Sequence, residues 1–238
     1  MIPWVHLDTA TIPGTTGTLR LMRRGDEFSI MVGRIELMNS RLSGSEVALA
    51  QLPAARLTDR PAARLLIGGL GMGFTLRAAL GALGPDVRIS VAELVPAVIA
   101  WGRGPMAALF AGCLDDPRTT VFEADVQELI RNPGAGYDAI LLDVDNGPDG
   151  LTRASNDALY SAAGLARTYN ALRPRGILAV WSSGPDAAFT ERLKRARFVI
   201  EEVRVRAHRP GKGARHTIWL ATRGAAGRPA DDSGRRRG

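Results

Sequence analysis

A glycine-rich loop is the first feature of this sequence whose residue types and spacing suit chemistry. The apolar run Leu65-Leu66-Ile67, typical of a buried strand, leads into alternate glycines at Gly69, Gly71 and Gly73, and a helical pattern follows. Glycine has no Cβ, so such a loop can turn sharply and let a ligand approach backbone amides at the start of a helix. A lone loop of this kind is weak evidence, but its place between a strand and a helix predicts a nucleotide site.

Three acidic residues stand where the following strands are expected to end. Glu93 ends the second strand, Asp125 follows the third and Asp143 ends the fourth. Ligands of open parallel sheets bind at the carboxyl ends of the strands, so these side chains and the loop are expected in one crevice. Glu93 suits hydrogen bonds from ribose hydroxyls. Asp125 suits either the amino group of an adenine or the N-cap of the next helix, and both roles can coexist.

The elements that must position these residues follow from the hydrophobic pattern. Short apolar runs alternate with helical patterns from residue 64 onwards, which indicates successive βαβ units and a parallel sheet. The expected strands are 64–68, 88–92, 119–123, 137–142, 176–181, 198–206 and 216–221. The expected helices are 74–83, 95–110, 126–131, 156–172 and 186–195. The last two strands are joined by 207–215, whose glycines and basic residues predict a mobile hairpin tip.

The N-terminal region has a different pattern. Three short segments between about residues 17 and 38 alternate apolar and polar residues, which predicts a small antiparallel sheet. Ser43 and Ser45 then suit the cap of a helix that runs to about residue 57. The chain therefore divides into a β extension at 1–42, a nucleotide-binding domain at 43–222 and a disordered Arg-rich tail at 223–238.

Composition narrows the class of protein. The 238 residues can bury a core adequate for one α/β domain without metals or disulfides. Cys113 is the single cysteine, and His6, His208 and His216 are scattered without metal-ligand spacing, so no metal site is expected. The start of the chain has no basic leader, and no apolar run approaches the roughly 18 residues of a membrane span. A soluble, cytoplasmic protein is therefore expected.

The net charge of +7 raises the question of nucleic acid. The tail at 223–238 carries five arginines against two aspartates, and the whole chain has only two lysines, Lys194 and Lys212. The predominance of arginine, with abundant alanine and glycine, looks like genomic base composition. A solvated basic surface is therefore favoured over nucleic-acid recognition.

At this point the residues from about 17 to 222 resemble the spermidine synthase family of aminopropyltransferases. The resemblance implies the S-adenosylmethionine methyltransferase fold, a seven-stranded, mostly parallel Rossmann-like sheet with a small N-terminal β extension. It implies S-adenosylmethionine or its decarboxylated form as cofactor, no metal, a small amine as acceptor, and the homodimer that the family often forms through its N-terminal region. The matching features are Ile67-Gly68-Gly69, Thr75-Leu76-Arg77, Glu93 with Pro96 and Val98, Asp116-Pro117-Arg118, Asp125, Tyr137-Asp138 and Leu142-Asp143.

The sequence also departs from that family. The aspartate with which the family's loop grips the amine of the transferred arm corresponds to Gly71, and the second acidic residue after the fourth strand corresponds to Asn146, although Asp145 is adjacent. If Glu46 is the glutamate of the family's N-terminal helix, then Gly44 and Ser45 replace its tyrosine and histidine. The nucleotide half of the motif is kept, and groups that recognise amines are missing.

Aminopropyl transfer needs carboxylates that hold a cationic amine and accept its proton. Asp143 is the first candidate for this role, with Asp145 in support, and Glu36, Glu46 and Asp149 can add negative charge at the cleft mouth. Three alternatives stay open. They are a methyltransferase that uses S-adenosylmethionine, for which Gly71 argues, a catalytically eroded binding protein, and a nucleic-acid-modifying methyltransferase suggested only by the tail.

Overall fold

The computed structural model of the chain describes residues 2–144, 158–207 and 214–225. The expected catalytic Asp145 lies outside the described residues, as do Asn146 and Asp149. Most of the loop at 207–215 and the tail beyond residue 225 also lie outside them.

The described strands and helices alternate along most of the chain. The strands are β1 (Val5–Thr11), β2 (Thr18–Arg24), β3 (Glu27–Val32), β4 (Ile35–Asn39), β5 (Arg64–Gly68), β6 (Arg88–Glu93), β7 (Thr119–Glu123), β8 (Tyr137–Leu142), β9 (Leu172–Ser182), β10 (Phe198–Arg206) and β11 (Arg215–Arg223). The helices with described bounds are α1 (Gly44–Ala54), α2 (Phe74–Ala82), α3 (Pro96–Arg103), α4 (Ala107–Phe110), α5 (Val126–Arg131), α6 (Ala162–Ala171) and α7 (Ala187–Arg195).

The main sheet has seven strands in the order β10-β11-β9-β8-β5-β6-β7. The five strands from β9 to β7 run parallel, whereas β11 is antiparallel to both β9 and β10. The predicted seven-stranded, mostly parallel sheet is therefore confirmed. Its central strand β8 is buried along its whole length, as expected of a strand covered on both faces.

A second sheet of four antiparallel strands, β1-β2-β3-β4, precedes the main one. The sequence predicts only three strands here and misses β1. The outer strand β1 buries no apolar face, since Val5 is 54% and Leu7 39% exposed, so it lacks the pattern by which strands are identified. Asp8 in β1 accepts a 2.6 Å hydrogen bond from Nε1 of Trp101 in α3, which ties the small sheet to the main domain.

Three helix predictions need correction. The helix expected at 156–172 is interrupted at Ser161, which caps α6, and Leu172 already belongs to β9. The single helix expected at 95–110 is two helices, α3 and α4, because Pro105 has no N–H to donate and disfavours a helical conformation at Gly104. Ser43 occupies the N-cap position of α1, but its side chain makes no capping hydrogen bond. The hydroxyl of Ser45, the other predicted cap, donates instead to Glu46 Oε2 at 2.7 Å.

The apolar core lies on both faces of the main sheet. Successive residues of β5 alternate between them: Leu65 and Ile67 belong to the cluster shared with the N-terminal sheet, α1 and α2, and Leu66 belongs to the other. Asp138, at the start of β8, is 2% exposed and pairs with Arg60 at 2.6 Å and Arg173 at 2.9 Å. This network closes the amino edge of the sheet, opposite the glycine loop.

Candidate active site

The glycine loop joins β5 to α2 at the carboxyl edge of the sheet. Gly69, Gly71 and Gly73 all have positive φ, of 90°, 52° and 77°. The N–H of Gly69 donates to the carbonyl of Ala92 at 2.9 Å, which holds the loop against the end of β6. The loop therefore has the backbone conformation for which its glycines were expected.

Glu93, the last residue of β6, supports this loop. Its side chain is buried, and its carboxylate accepts hydrogen bonds from the N–H of Leu70 at 2.9 Å and of Val95 at 2.8 Å. Burial raises the pKa of Glu93, and the backbone N–H groups partly offset that effect. Glu93 also lines the cleft.

Asp125 does cap a helix, which is one of the two roles that the sequence leaves open. It is the N-cap of α5, and its Oδ1 accepts from the N–H of Gln127 at 2.8 Å. Asp125 also lines the same cleft as Gly69, Gly71 and Glu93. The cap and a contact to ligand are therefore compatible.

Asp143 follows β8 at the other side of the loop, and the cleft reaches it too. Among the described residues no cation forms an ion pair with its carboxylate, which is in contact with the hydroxyl of Thr75 at 3.4 Å. Burial, followed by the negative charge of Glu46, raises the pKa of Asp143 to about 7. A carboxylate with such a pKa can exchange a proton near neutral pH.

Glu46 is a second carboxylate whose charge acts on Asp143, although it is not among the residues that line the cleft. It lies in the first turn of α1, where burial raises its pKa and a hydrogen bond from Ser45 opposes that effect. The Thr75 hydroxyl lies 3.4 Å from the Glu46 carbonyl and from Asp143 Oδ2. The charge of Glu46 thus acts on Asp143 from behind the cleft lining, whereas Glu36 is exposed, and neither residue lines the cleft.

The N-terminal sheet forms a wall of the cleft, and sequence reasoning missed this. About 890 Å³ of space, part of it open solvent, lies between these walls. The wall is apolar, and its side chains are Ile12, Leu19, Ile30, Leu37 and Met38. Alternation along the strands marks several of these residues as apolar, but no local pattern indicates which sheet they face.

Met38 occupies the space beside Gly71. A Cβ on Gly71 would lie 2.7 Å from the Met38 methyl carbon and 2.9 Å from its sulfur. The positive φ of Gly71 favours glycine, and a side chain at this position would also require the flexible end of Met38 to move. The space that a side chain at Gly71 would occupy is therefore filled by the side chain of Met38 from the N-terminal sheet.

The charges of the cleft all have one sign. Its described lining includes the carboxylates of Glu93, Asp125 and Asp143, and no lysine, arginine or histidine. Buried charges need a partner of opposite sign, so a cationic ligand fits this cleft better than an anionic one. In the described part of the chain, no group of three or more His, Cys, Asp or Glu side chains is arranged to hold a metal ion.

Comparison with known proteins agrees with this geometry. A polyamine aminopropyltransferase of Mycobacterium tuberculosis is 33% identical over 132 residues, which are 54% of this chain and 24% of that protein. Polyamine aminopropyltransferase 1 of Streptomyces coelicolor is 35% identical over 127 residues, 52% of this chain and 23% of that protein. The chain is similar to the polyamine aminopropyltransferases. The resemblance inferred from the motifs is confirmed, although the matched segments span about a quarter of these relatives.

Solved structures show the same fold. The spermidine synthase of Thermotoga maritima has a TM-score of 0.72 at 18% identity, over 93% of this chain and 74% of that one. A spermidine synthase in complex with the transition-state analogue AdoDATO has a TM-score of 0.71 at 18% identity, over 93% and 73%. Human methyltransferase-like protein 13 in complex with SAH scores 0.54 at 22% identity, over 74% and 78%. No protein-family profile matches the chain.

The helices of the described residues include none long and apolar enough to cross a membrane.

Proposed function

We propose that this chain transfers an aminopropyl group from decarboxylated S-adenosylmethionine to a small amine. The observation that carries the proposal is the charge of the cleft, which has three carboxylates and no cationic side chain in its described lining. The carboxylate of intact S-adenosylmethionine would find no counter-ion there, whereas the decarboxylated form offers only cationic groups. This argument favours aminopropyl transfer over methyl transfer.

The nucleoside half of the cleft binds by groups already in place. Gly69, Gly71, Glu93 and Asp125 line this half, where Glu93 accepts from ribose hydroxyls and Asp125 accepts from the adenine amino group. When bound, the cofactor supplies a carbon next to a sulfonium, and the thioether leaves with the electron pair. The apolar wall around Met38 excludes water from this carbon.

The acceptor half of the cleft binds the amine and removes a proton from it. A small amine is an ammonium ion at neutral pH and must lose a proton before it can attack. Asp143, with its pKa raised to about 7, is the base, and the negative charge of Glu46 near it favours a cation at this position. Asp145, outside the described residues, is proposed to support Asp143. The aminopropyltransferases that resemble this chain support the assignment of this chemistry.

The N-terminal extension at 1–42 has two roles in this proposal. It closes the cleft through its apolar wall, and it forms a homodimer contact. The exposed apolar side chains of Trp4, Val5 and Leu7 on and beside β1 support the second role. Sedimentation of the wild-type protein at micromolar concentration tests it, since a monomer would exclude the dimer.

Calorimetry with three nucleosides tests the cofactor assignment. We expect decarboxylated S-adenosylmethionine to bind at least about tenfold more tightly than S-adenosylmethionine, with methylthioadenosine in between, because a tenfold difference corresponds to about 1.4 kcal/mol. Glu93→Ala should weaken all three. Glu123→Ala is the matched control, because Glu123 ends the neighbouring strand β7 in register with Glu93 but is exposed and does not line the cleft.

Preference for the intact cofactor would instead indicate methyl transfer, and binding to none would contradict the site assignment. Turnover is then measured as methylthioadenosine release with a panel of mono-, di- and polyamines. Tight binding without turnover across that panel would indicate a protein that has lost catalysis.

A further inference from the structure

A second pocket lies between helices α6 and α7, away from the active-site cleft. It runs along α6 to the last turn of α7, and these two helices lead into β9 and β10 at the amino edge of the main sheet. The pocket surrounds about 680 Å³ of space, part of it open solvent. The small side chains of Ala162 and Ala166, one turn apart on α6, and of Ala196 leave this space unfilled.

The charged side chains that line this pocket are all positive. They are Arg192, Arg195 and Arg197, and the described lining has no acidic side chain. Arg192 has a carboxylate partner, since its Nη2 lies 3.4 Å from Asp186 Oδ2. Arg195 and Arg197 have no carboxylate within 4.0 Å in the described part of the chain. The pocket is therefore opposite in charge to the active-site cleft.

Helix capping explains only part of this arrangement. Cations in the last turn of a helix offset its dipole, which accounts for the place of Arg192 and Arg195 in α7. At the end of α6 this task is performed by Arg223, whose Nη1 donates to the carbonyl of Tyr169 at 3.0 Å. The guanidinium of Arg197 forms no hydrogen bond with the described residues, so it caps neither helix.

Arg197 also occupies a backbone position that favours glycine. It follows α7 with a φ of 67°, and its N–H donates to the carbonyl of Lys194 at 2.9 Å, an arrangement with which many helices end. Glycine is the usual residue there because it has no Cβ. The guanidinium of Arg197 lies over the ring of Tyr169, 5.4 Å from its centroid, and both residues line the pocket. The ring thus holds this cation at the pocket wall.

We propose that this pocket binds a phosphate dianion, either inorganic phosphate or the phosphate group of a monoester. Guanidinium groups bind phosphate oxygens through paired, charge-assisted hydrogen bonds and stay charged at neutral pH. Arg195 and Arg197 supply two positive charges without a described carboxylate partner, which match the two negative charges of the dianion. Arg192 and the side-chain amide of Asn170 supply further donors. The proposed aminopropyl transfer does not use this site.

Amide NMR shifts of the full chain, titrated with inorganic phosphate, test the site. We expect the shifts to concentrate on α6 and α7, and Arg195→Gln and Arg197→Gln each to weaken binding about tenfold, since each removes one of two charges. Arg175→Gln is the matched control, because Arg175 also has a positive φ, of 62°, and is exposed, but does not line the pocket. No saturable shift, or equal affinity in the wild type and both pocket variants, would overturn the site.

The pH dependence tests whether the dianion is the bound form. The second proton of a phosphate monoester leaves near pH 6, so its affinity should rise between about pH 5 and pH 8. Sulfate is a dianion throughout that range, and its affinity should stay constant because arginines do not titrate there. An equal rise for sulfate would show that a titrating protein group controls binding and would contradict a site built from arginines.

The source of the phosphate is distinguished by a second titration with glycerol phosphate, a monoester without a base. Tighter binding of the ester assigns the site to organic phosphates, and tighter binding of inorganic phosphate assigns it to the free ion. Binding of an RNA oligonucleotide at α6 and α7 while both small anions leave the spectrum unchanged would overturn a small-anion site.

The active-site cleft provides an internal reference for these variants. Methylthioadenosine should bind with the same affinity to the wild type, Arg195→Gln and Arg197→Gln, because neither arginine lines the cleft. Loss of nucleoside binding in the wild type with phosphate binding intact would contradict the proposed function alone. Nucleoside binding without phosphate binding would contradict the anion site alone.

Discussion

An aspartate lies near each end of strand β8, and the charges around the two carboxylates are opposite in sign. Asp138, at the amino edge, accepts from Arg60 at 2.6 Å, from Arg173 at 2.9 Å and from the N–H of Arg64 at 2.8 Å. Asp143, directly after the carboxyl end, has a threonine hydroxyl at 3.4 Å and the negative charge of Glu46. The carboxylate at the start of β8 thus has two cationic partners, whereas the one after its end has none among the described residues.

This difference in charged partners distinguishes a carboxylate that stabilises the fold from one that is placed to bind a ligand. A buried carboxylate with cationic partners contributes to packing and is costly to remove. A carboxylate pressed against another without a cation is unfavourable in the free protein, and a cationic ligand relieves that repulsion. Perturbed groups of this kind mark sites of function, and here the unfavourable pair lies at the edge where parallel sheets bind ligands.

The substitution Asp143→Asn tests this comparison most directly. We expect turnover to fall by about 10²–10⁴, the usual contribution of a general base, while nucleoside affinity changes less than about threefold. The thermal midpoint at pH 7 should stay the same or rise, since one of two repelling charges is gone. Turnover within about twofold of wild type would mean that another group takes the proton.

Asp138→Asn should have the reverse effect. Removal of a charge that holds two arginines leaves them unpaired, and because both are partly exposed we expect a loss of about 2–3 kcal/mol in the free energy of unfolding, below the 3–5 kcal/mol of a fully buried pair. Urea unfolding measures the loss. The turnover of the folded fraction should match that of the wild type, and a loss of turnover without a loss of stability would contradict the division between the two ends.

The pH dependence of stability gives a third test. The pKa of Asp143 is about 7 in the folded protein against an ordinary value of 3.8, so the folded state binds its proton more tightly than the unfolded state. Stability should therefore fall as pH rises from about 4 to 7, by at most about 1.4 kcal/mol per pH unit for one group. Asp143→Asn should flatten this slope, whereas Asp138→Asn should leave it in place. Unfolding by urea at several pH values distinguishes them.

The contact between Gly71 and Met38 allows the smallest test, at the cofactor end of the cleft. Gly71→Asp should cost about 1–2 kcal/mol of stability through its positive φ, with a further loss from collision with Met38. Gly112→Asp is the matched control for the backbone effect alone, because its φ is 79° and nothing lies within 4 Å of a Cβ there. In the Met38→Ala background, Gly71→Asp should cost no more than Gly112→Asp does in the wild type, and an undiminished cost in that background would show that Met38 does not fill this space.

The sequence anticipates that the glycine loop and the acidic strand ends lie together in one cleft. Gly69, Gly71, Gly73, Glu93, Asp125 and Asp143 line or build one crevice, as the strand-end rule predicts. Each of these residues adjoins an apolar strand, so a local pattern is enough to place it. The break between α3 and α4 was also readable, since Pro105 is visible in the chain, yet the continuous apolar pattern concealed it.

By itself, therefore, the sequence determined the order of strands and helices, the glycine loop and the acidic strand ends, because hydrophobic period and turn chemistry are local properties. Only the tertiary structure decided that Glu46 faces Asp143, that Met38 fills the space over Gly71, and that His216 bonds Ser45 across 171 residues of chain. The physical reason is that these contacts depend on how α1 and the N-terminal sheet pack against the main sheet, and that packing is set by the shape of the whole core rather than by any neighbouring residue.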